Sequence, residues 1–497
     1  MMKRFYLPSL VLTCGLCSCC FAQEKAVLTI NDTGKILIDR NIYGQFAEHL
    51  GRSIYDGFYH NGQIRMDVVE ALKKILVPNL RWPGGCFADQ YHWRDGIGEA
   101  ATRPKTVNTT WGMVTEDNSF GTNEFIELCR LIGCEPYIAG NVGTGSPQEM
   151  KDWVQYLNYP GLQTSAQPVS LWGVGNESWG CGGNMTPEYY AGLYHQFAAF
   201  LPDYPGSHLK KIASGANADD YHWTEVLMKN LDPSELYGIS LHYYTFPSGR
   251  WNPRGSATSF NEAEYAQTLV QAERIEEIVD KHEAIMDKYD PQKKVALMVD
   301  EWGVWADSEK VMGLMYQQSS LRDALIAATT LNIFNNHADR IKGANLAQAV
   351  NVIQSLILTK GDQMLLTPTY FVFDLYKVHQ DARLLPVHIN SPDYIAGSET
   401  VKAVNASASI DKDGKTHISL VNLDAHKAIT INIALPSAAG KMLSGQVLTS
   451  GRFTDINTFE QPNKIHIQTL DLVLFKKDGN TIAVILPPKS IVQLELK

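Results

Sequence analysis

Through its first three quarters the chain alternates short apolar runs with stretches of helical period, and after about Tyr376 a period of two takes over. Val27–Ile30 and Lys35–Ile38 flank Asn31-Asp32-Thr33-Gly34, which predicts a hairpin. Apolar runs beginning at about Ile42, Leu80, Glu135, Leu171, Ile212, Leu236, Val295 and Gly343 then predict strands. Helical faces fill the gaps between them. Val68, Val69, Leu72, Ile75 and Leu76 make one, and Phe125, Leu128, Cys129 and Ile132 make another, closed by Gly133. Ser146-Pro147-Gln148-Glu149 reads as a capping box with proline at the first helical position, and Thr186-Pro187-Glu188 opens a further helix. Longer helices are expected from Glu262 to about Tyr289 and around Leu321–Phe334.

Strands that alternate with helices in this way predict a (β/α)₈ barrel, with a doubly wound open sheet as the alternative of similar pattern. Beyond Tyr376, Ile429, Ile431 and Ile433 alternate with Thr430 and Asn432, and Val492, Leu494 and Leu496 with Gln493 and Glu495. That period predicts an antiparallel β-sandwich of jelly-roll type. The N-terminal strands have no partner inside a barrel, so they are expected to join the sandwich. The expected division is a leader over 1–22, N-terminal strands over 23–40, the barrel over 41–376 and the sandwich over 377–497.

Composition narrows the function. Over 497 residues, 44% hydrophobic and 19% charged side chains describe a soluble globular chain, and a net charge of −10 excludes a basic nucleic-acid footprint. Lys3 and Arg4 precede an apolar run, Phe5 to Leu16, and a small-residue region ending at Ala22, the pattern of a secretory leader. The run is too short to span a bilayer. Export to the periplasm or the exterior is therefore expected, with lipid attachment near Leu16-Cys17-Ser18-Cys19 as the alternative. Cys86, Cys129, Cys134 and Cys181 remain beyond the leader, too few for a disulfide-dependent fold and without zinc spacing.

In such a barrel the residues just past the strand ends face the active site. Those positions carry Glu48 and His49, Arg81 with Gly84, Gly85 and Cys86, Asn141, Asn176 and Glu177, His242 and Tyr244, Glu301 and Trp302, and Gln348. Polar and aromatic side chains of this kind suit a sugar, whose hydroxyls need fixed partners and whose ring faces need flat surfaces. Glu177 follows the run Leu171–Val174 and Glu301 follows Val295–Val299. Two strand-terminal glutamates are the pair that glycoside cleavage requires. Asp89, Asp95 and Asp300 have no evident partner, and His49 and His242 read equally well as structural histidines. No zinc or calcium motif, serine elbow or phosphate loop is present, so no metal or cofactor is expected.

Gly44-Gln45-Phe46-Ala47-Glu48-His49-Leu50-Gly51-Arg52, Arg81-Trp82-Pro83-Gly84-Gly85, Gly173-Val174-Gly175-Asn176-Glu177, His242-Tyr243-Tyr244, Asp300-Glu301-Trp302 and Asn345-Leu346-Ala347-Gln348-Ala349-Val350-Asn351 together resemble glycoside hydrolase family 51, the α-L-arabinofuranosidases. The resemblance implies a retaining, exo-acting enzyme with Glu177 as acid/base and Glu301 as nucleophile. It further implies that Glu48, Asn176, Tyr244 and Gln348 hold the arabinofuranosyl ring with Cys86 beside them. Arabinan- or arabinoxylan-type glycans or their oligosaccharides would be the substrate, and the assembly a homohexamer. Cys86 stands where many members carry Asn, and Ser178–Gly183 departs from the commonest form, which bears on the leaving group accepted. Another retaining glycosidase, a xylosidase or endoglucanase, and an inactive carbohydrate-binding protein are the competing readings.

Overall fold

The structure, a computed structural model, describes residues 25–32, 34–161, 168–309, 312–435, 442–471 and 475–497. One strand, β1 (Lys25–Ile30), precedes a closed barrel of parallel strands: β2 (Gly44–Phe46), β3 (Asn79–Trp82), β4 (Glu135–Gly140), β5 (Leu171–Val174), β6 (Lys210–Asn217), β7 (Gly238–Thr245), β8 (Ala296–Val304) and β9 (Ile341–Leu346). All eight expected barrel strands form. Strands such as β3 and β5 are buried at every position, because helices cover the outside while side chains fill the inside. The first is shorter than expected: Asp39 caps a 3₁₀ turn over Arg40–Tyr43, accepting from the Asn41 N–H at 2.9 Å, and extended pairing starts only at Gly44.

The covering helices are α1 (Met66–Lys74), α2 (Thr122–Ile132), α3 (Pro147–Asn158), α4 (Pro187–Ala198), α5 (Tyr221–Asn230), α6 (Glu262–Tyr289), α7 (Leu321–Asn336) and α8 (Pro368–Tyr376). Gly133 ends α2 in the left-handed conformation, φ 83°. The box expected at α3 is half made. Ser146 Oγ accepts from the Glu149 N–H at 3.2 Å, but the Glu149 carboxylate turns to His92 Nδ1, 3.0 Å away. At α6 the Asn261–Glu264 box is complete, with bonds of 2.8 and 3.0 Å.

The C-terminal region forms two main sheets. One orders Val387–Asn390, β1, Ile429–Ala434, Thr481–Leu486 and Phe475–Asp478, and the other, antiparallel throughout, centres on Val404–Ile410, Thr416–Asn422 and Ser490–Leu496. β1 thus joins the C-terminal sheet, antiparallel to Val387–Asn390 (Leu28 opposite Ile389) and parallel to Ile429–Ala434 (Val27 opposite Asn432). The expected N-terminal hairpin does not form. Residues 36–38 bond instead to the segment around Ala382–Leu384, through Ile38 N–H to Ala382 O and Leu384 N–H to Ile36 O, so the two arms find separate partners.

α7 is buried over residues 321–335, with the barrel on one side and a C-terminal strand on the other. Ser407 Oγ donates to Asn332 Oδ1 (2.7 Å), and the Asn335 amide donates back to Ser407 (3.2 Å). Among the described residues no helix is long and apolar enough to cross a membrane.

Candidate active site

Glu177 and Glu301 converge at the C-terminal mouth of the barrel. One carboxylate oxygen from each, with a ring nitrogen of His242, lies within 4.8 Å of the others. β5 stops at Val174, Gly175 turns left-handed, and Glu177 itself has φ 41°, a conformation unusual outside glycine. Its carbonyl accepts from Gly180 N–H (2.7 Å) and Gly182 N–H (3.0 Å), so the turn after the glutamate folds back over it.

The two carboxyls are held differently. Glu301 Oε1 accepts from Arg81 at 2.9 Å and Oε2 from the Tyr244 hydroxyl at 2.8 Å. Burial pushes its proton affinity up, but the charges of His242 and Arg81 and the bond from Tyr244 outweigh burial and hold it below the ordinary carboxyl value. Glu177 Oε1 lies 2.9 Å from His242 Nδ1, which is 3.7 Å from Glu301 Oε1. Burial pushes Glu177 above the ordinary value, the His242 bond opposes this, and the negative charge of Glu301 adds to it. One carboxyl is favoured ionised and its neighbour protonated, the division of labour that acid/base catalysis beside a nucleophile needs.

Around the pair stands a buried polar frame. Glu48 Oε1 accepts from Gly85 N–H, Phe87 N–H and Trp111 Nε1 at 2.9–3.0 Å, and Oε2 from Gln348 at 3.2 Å. Burial, reinforced by the charge of Glu301, raises Glu48 to about 7. Arg81 also donates to Asn176 Oδ1 at 2.6 Å, leaving the Asn176 amide nitrogen and Gln348 Oε1 buried without a partner. Unpartnered buried amide atoms at the mouth of a cleft are free to meet hydroxyls. The glycines have a steric reason: a Cβ on Gly85 would lie 2.7 Å from Glu301 Oε1, and one on Gly84 2.6 Å from Glu48 Cγ.

Most of the residues expected from the sequence meet here. Glu48, Cys86, Asn176, Glu177, His242, Tyr244, Glu301 and Gln348 surround one cleft, although His242 bonds to the acid rather than standing free. Trp302 does not join them. It is 2% exposed and packs between Phe334 of α7 and Phe373 of α8, at 5.4 and 6.3 Å between ring centroids. Trp305 is the aromatic that reaches the cleft, edge-on to Tyr244 at 4.9 Å. The cleft measures about 700 Å³ and is also lined by Trp111, Trp179, Phe246 and Trp251.

Three features escaped the sequence. Asp89 is not partnerless: it accepts from the N–H groups of Val142, Gly143 and Asn176 at 2.8–3.1 Å and ties three loops together. Asp300 accepts from the Tyr137 hydroxyl at 2.7 Å. Cys86 and Cys181 form a disulfide beside Glu177, while Cys129 and Cys134 are buried and free.

The α-L-arabinofuranosidase 1 domain matches residues 71–254, and the α-L-arabinofuranosidase C-terminal domain matches residues 300–490. The solved GH51 arabinofuranosidase of Xanthomonas axonopodis pv. citri is 45% identical and superimposes with a TM-score of 0.92, covering 95% of this chain and 100% of its own. The intracellular exo-α-L-arabinofuranosidase of Bacteroides ovatus is 48% identical, over 96% of each chain. The chain belongs to glycoside hydrolase family 51. A thermostable family 51 α-L-arabinofuranosidase from Thermotoga petrophila RKU-1 has the same fold at 31% identity, TM-score 0.82, covering 95% of this chain and 100% of that one. One expectation is overturned by these relatives. The expected export is contradicted: the Bacteroides ovatus enzyme, aligned over 96% of each chain, is named intracellular. The leader-like run and the lipid-attachment motif lie outside the described residues.

Proposed function

We propose that this family 51 member is a retaining, exo-acting α-L-arabinofuranosidase that removes terminal arabinofuranosyl residues from arabinan- or arabinoxylan-type glycans, chiefly as oligosaccharides within the cell. The observation that carries the reading is the approach of the Glu177 and Glu301 carboxylates to within 4.8 Å. Retaining pairs stand about 5–5.5 Å apart, whereas inverting pairs leave about 6.5–9.5 Å for a water. Glu301, ionised between Arg81 and Tyr244, attacks the anomeric carbon as Glu177 gives its proton to the departing oxygen. The covalent arabinosyl-enzyme then meets water, from which Glu177 takes a proton. Glu48, Asn176 and Gln348 hold the ring hydroxyls. The names of the two relatives above 40% identity favour arabinofuranose over the xyloside or glucan readings, and both carboxylates argue against an inactive binding protein.

Hydrolysis of an activated aryl α-L-arabinofuranoside by Glu177→Ala and Glu301→Ala tests the roles. Azide should rescue Glu177→Ala through the covalent intermediate, giving the α-arabinosyl azide, and Glu301→Ala by direct attack, giving the β-azide. Near-wild-type rates in both variants without azide would falsify the assignment. A homohexamer, implied by the family resemblance, completes the proposal; light scattering that returned a monomer mass would remove it.

A further inference from the structure

The turn after Glu177 places sulfur against the carboxyl oxygen that His242 leaves alone. Cys181 Sγ is 3.3 Å and Cys86 Sγ 3.8 Å from Glu177 Oε2. In the disulfide neither sulfur carries a hydrogen, so this face of the carboxyl meets two atoms that cannot donate. Cys181 is exposed to solvent, which gives a soluble reagent access to the bridge. The other charged or titratable groups around Glu177 are His242 and Tyr244 from β7, Glu301 from β8 and Arg81 from β3, with Asp219 and Arg274 further along the cleft. His242 engages the other oxygen, Oε1, at 2.9 Å.

We propose that Cys86 and Cys181 are positioning residues for the acid/base, and that the covalent state of the pair sets how tightly Glu177 holds its proton. A dithiol reductant opens the bridge: it passes two electrons and two protons to the sulfurs, leaves as its cyclic disulfide, and each cysteine gains an S–H. The Cys181 sulfur starts 3.3 Å from Oε2, so its thiol is placed to donate there. A donor to a carboxylate favours the ionised form, so reduction lowers the proton affinity of Glu177. Closed, the bridge keeps the acid loaded to higher pH; open, it surrenders the alkaline part of the working range. The inference rests on Glu177 being the acid/base.

The test is the pH dependence of kcat/KM on an unactivated arabinofuranosyl disaccharide, whose leaving group needs the proton, with arabinose measured chromatographically. Oxidised enzyme, enzyme held in dithiothreitol, and Cys181→Ser under both conditions are compared. Alkylation and peptide mass spectrometry report the state of Cys86 and Cys181 in each sample. Reduction should move the alkaline limb down by about half a pH unit to one unit and leave the acid limb in place. Cys181→Ser should behave like reduced enzyme and ignore dithiothreitol. An alkaline limb that stays put or moves up once the bridge is demonstrably open overturns the proposal, as does free Cys86 and Cys181 in enzyme purified under oxidising conditions. If Cys181→Ser does not fold, the two wild-type arms decide. Azide rescue of Glu177→Ala on an aryl substrate separates the two ideas: rescue with a redox-indifferent limb sinks this inference alone, and failed rescue sinks both.

Discussion

Tyr244 contributes a single oxygen to the site, and its effect on the nucleophile has a predictable sign. Its hydroxyl is one of the groups that hold Glu301 below the ordinary carboxyl value. Activity requires Glu301 ionised and Glu177 protonated, so kcat/KM rises as pH climbs through the lowered value of the first and falls as it passes the raised value of the second. Tyr244→Phe should therefore shift the acid limb upward, by up to about one pH unit, and leave the alkaline limb where it was. A pH profile with an unmoved acid limb would remove Tyr244 from the control of the nucleophile. At this scale the sequence was legible where a residue's position relative to a strand end fixed its neighbours, as for Glu48, Asn176, Glu177 and Glu301. It was not legible for Trp302 and Trp305. The register of β8 against β9 shifts between Val299 and Trp302, so simple alternation could not tell which aromatic faced the cleft. Gly84 and Gly85 were placed at the site by their position, but the reason for glycine there, the Glu48 and Glu301 side chains where a Cβ would stand, shows only in the fold.

At the scale of elements, the joint between barrel and sheets depends on His379, which follows α8. Its Nδ1 lies 2.7 Å from Ser409 Oγ and its Nε2 2.8 Å from Ser419 Oγ. Burial, with the neighbouring His417 adding to it, lowers His379 to about 3. An unfolded histidine takes a proton near 6.5, and the folded one does not until far lower pH. The unfolded chain therefore binds more protons across that window, and stability falls as pH drops through 6.5 towards 3. The loss should reach about 2 kcal/mol by pH 5. His379→Gln, followed by thermal denaturation from pH 8 to 5, should flatten this acid sensitivity while lowering the neutral-pH Tm. An unchanged slope would mean that other groups drive acid unfolding. Helix and strand identities were readable because period and caps are local; the pairings of the 25–38 region were not, since both arms bond to residues around 382–390.

For the whole molecule, barrel closure accounts for what the linear chain concealed. Cys86 and Cys181 are 95 residues apart, and Asp89 reaches loops after β4 and β5. Such partners meet only once β3, β4 and β5 stand side by side in the barrel. The strand-helix units were legible because each announces itself locally, whereas their closure into a barrel rather than an open sheet of similar pattern is settled by the pairing of the last strand, β9, with the first, β2. The sandwich period was legible too, but which strand β1 would choose as neighbour was not.

That choice has a consequence in time. β1 leaves the ribosome before any of the barrel, yet both strands that flank it come after the barrel is complete. At about 5–20 residues per second, the interval is on the order of tens of seconds. During it the nascent chain carries an unpaired strand with alternate apolar residues, the kind of edge that recruits other chains. The C-terminal sheet is thus the last part of the protein that synthesis permits to form, and a transcript broken anywhere short of Ala434 releases a chain whose first strand has lost a flanking partner.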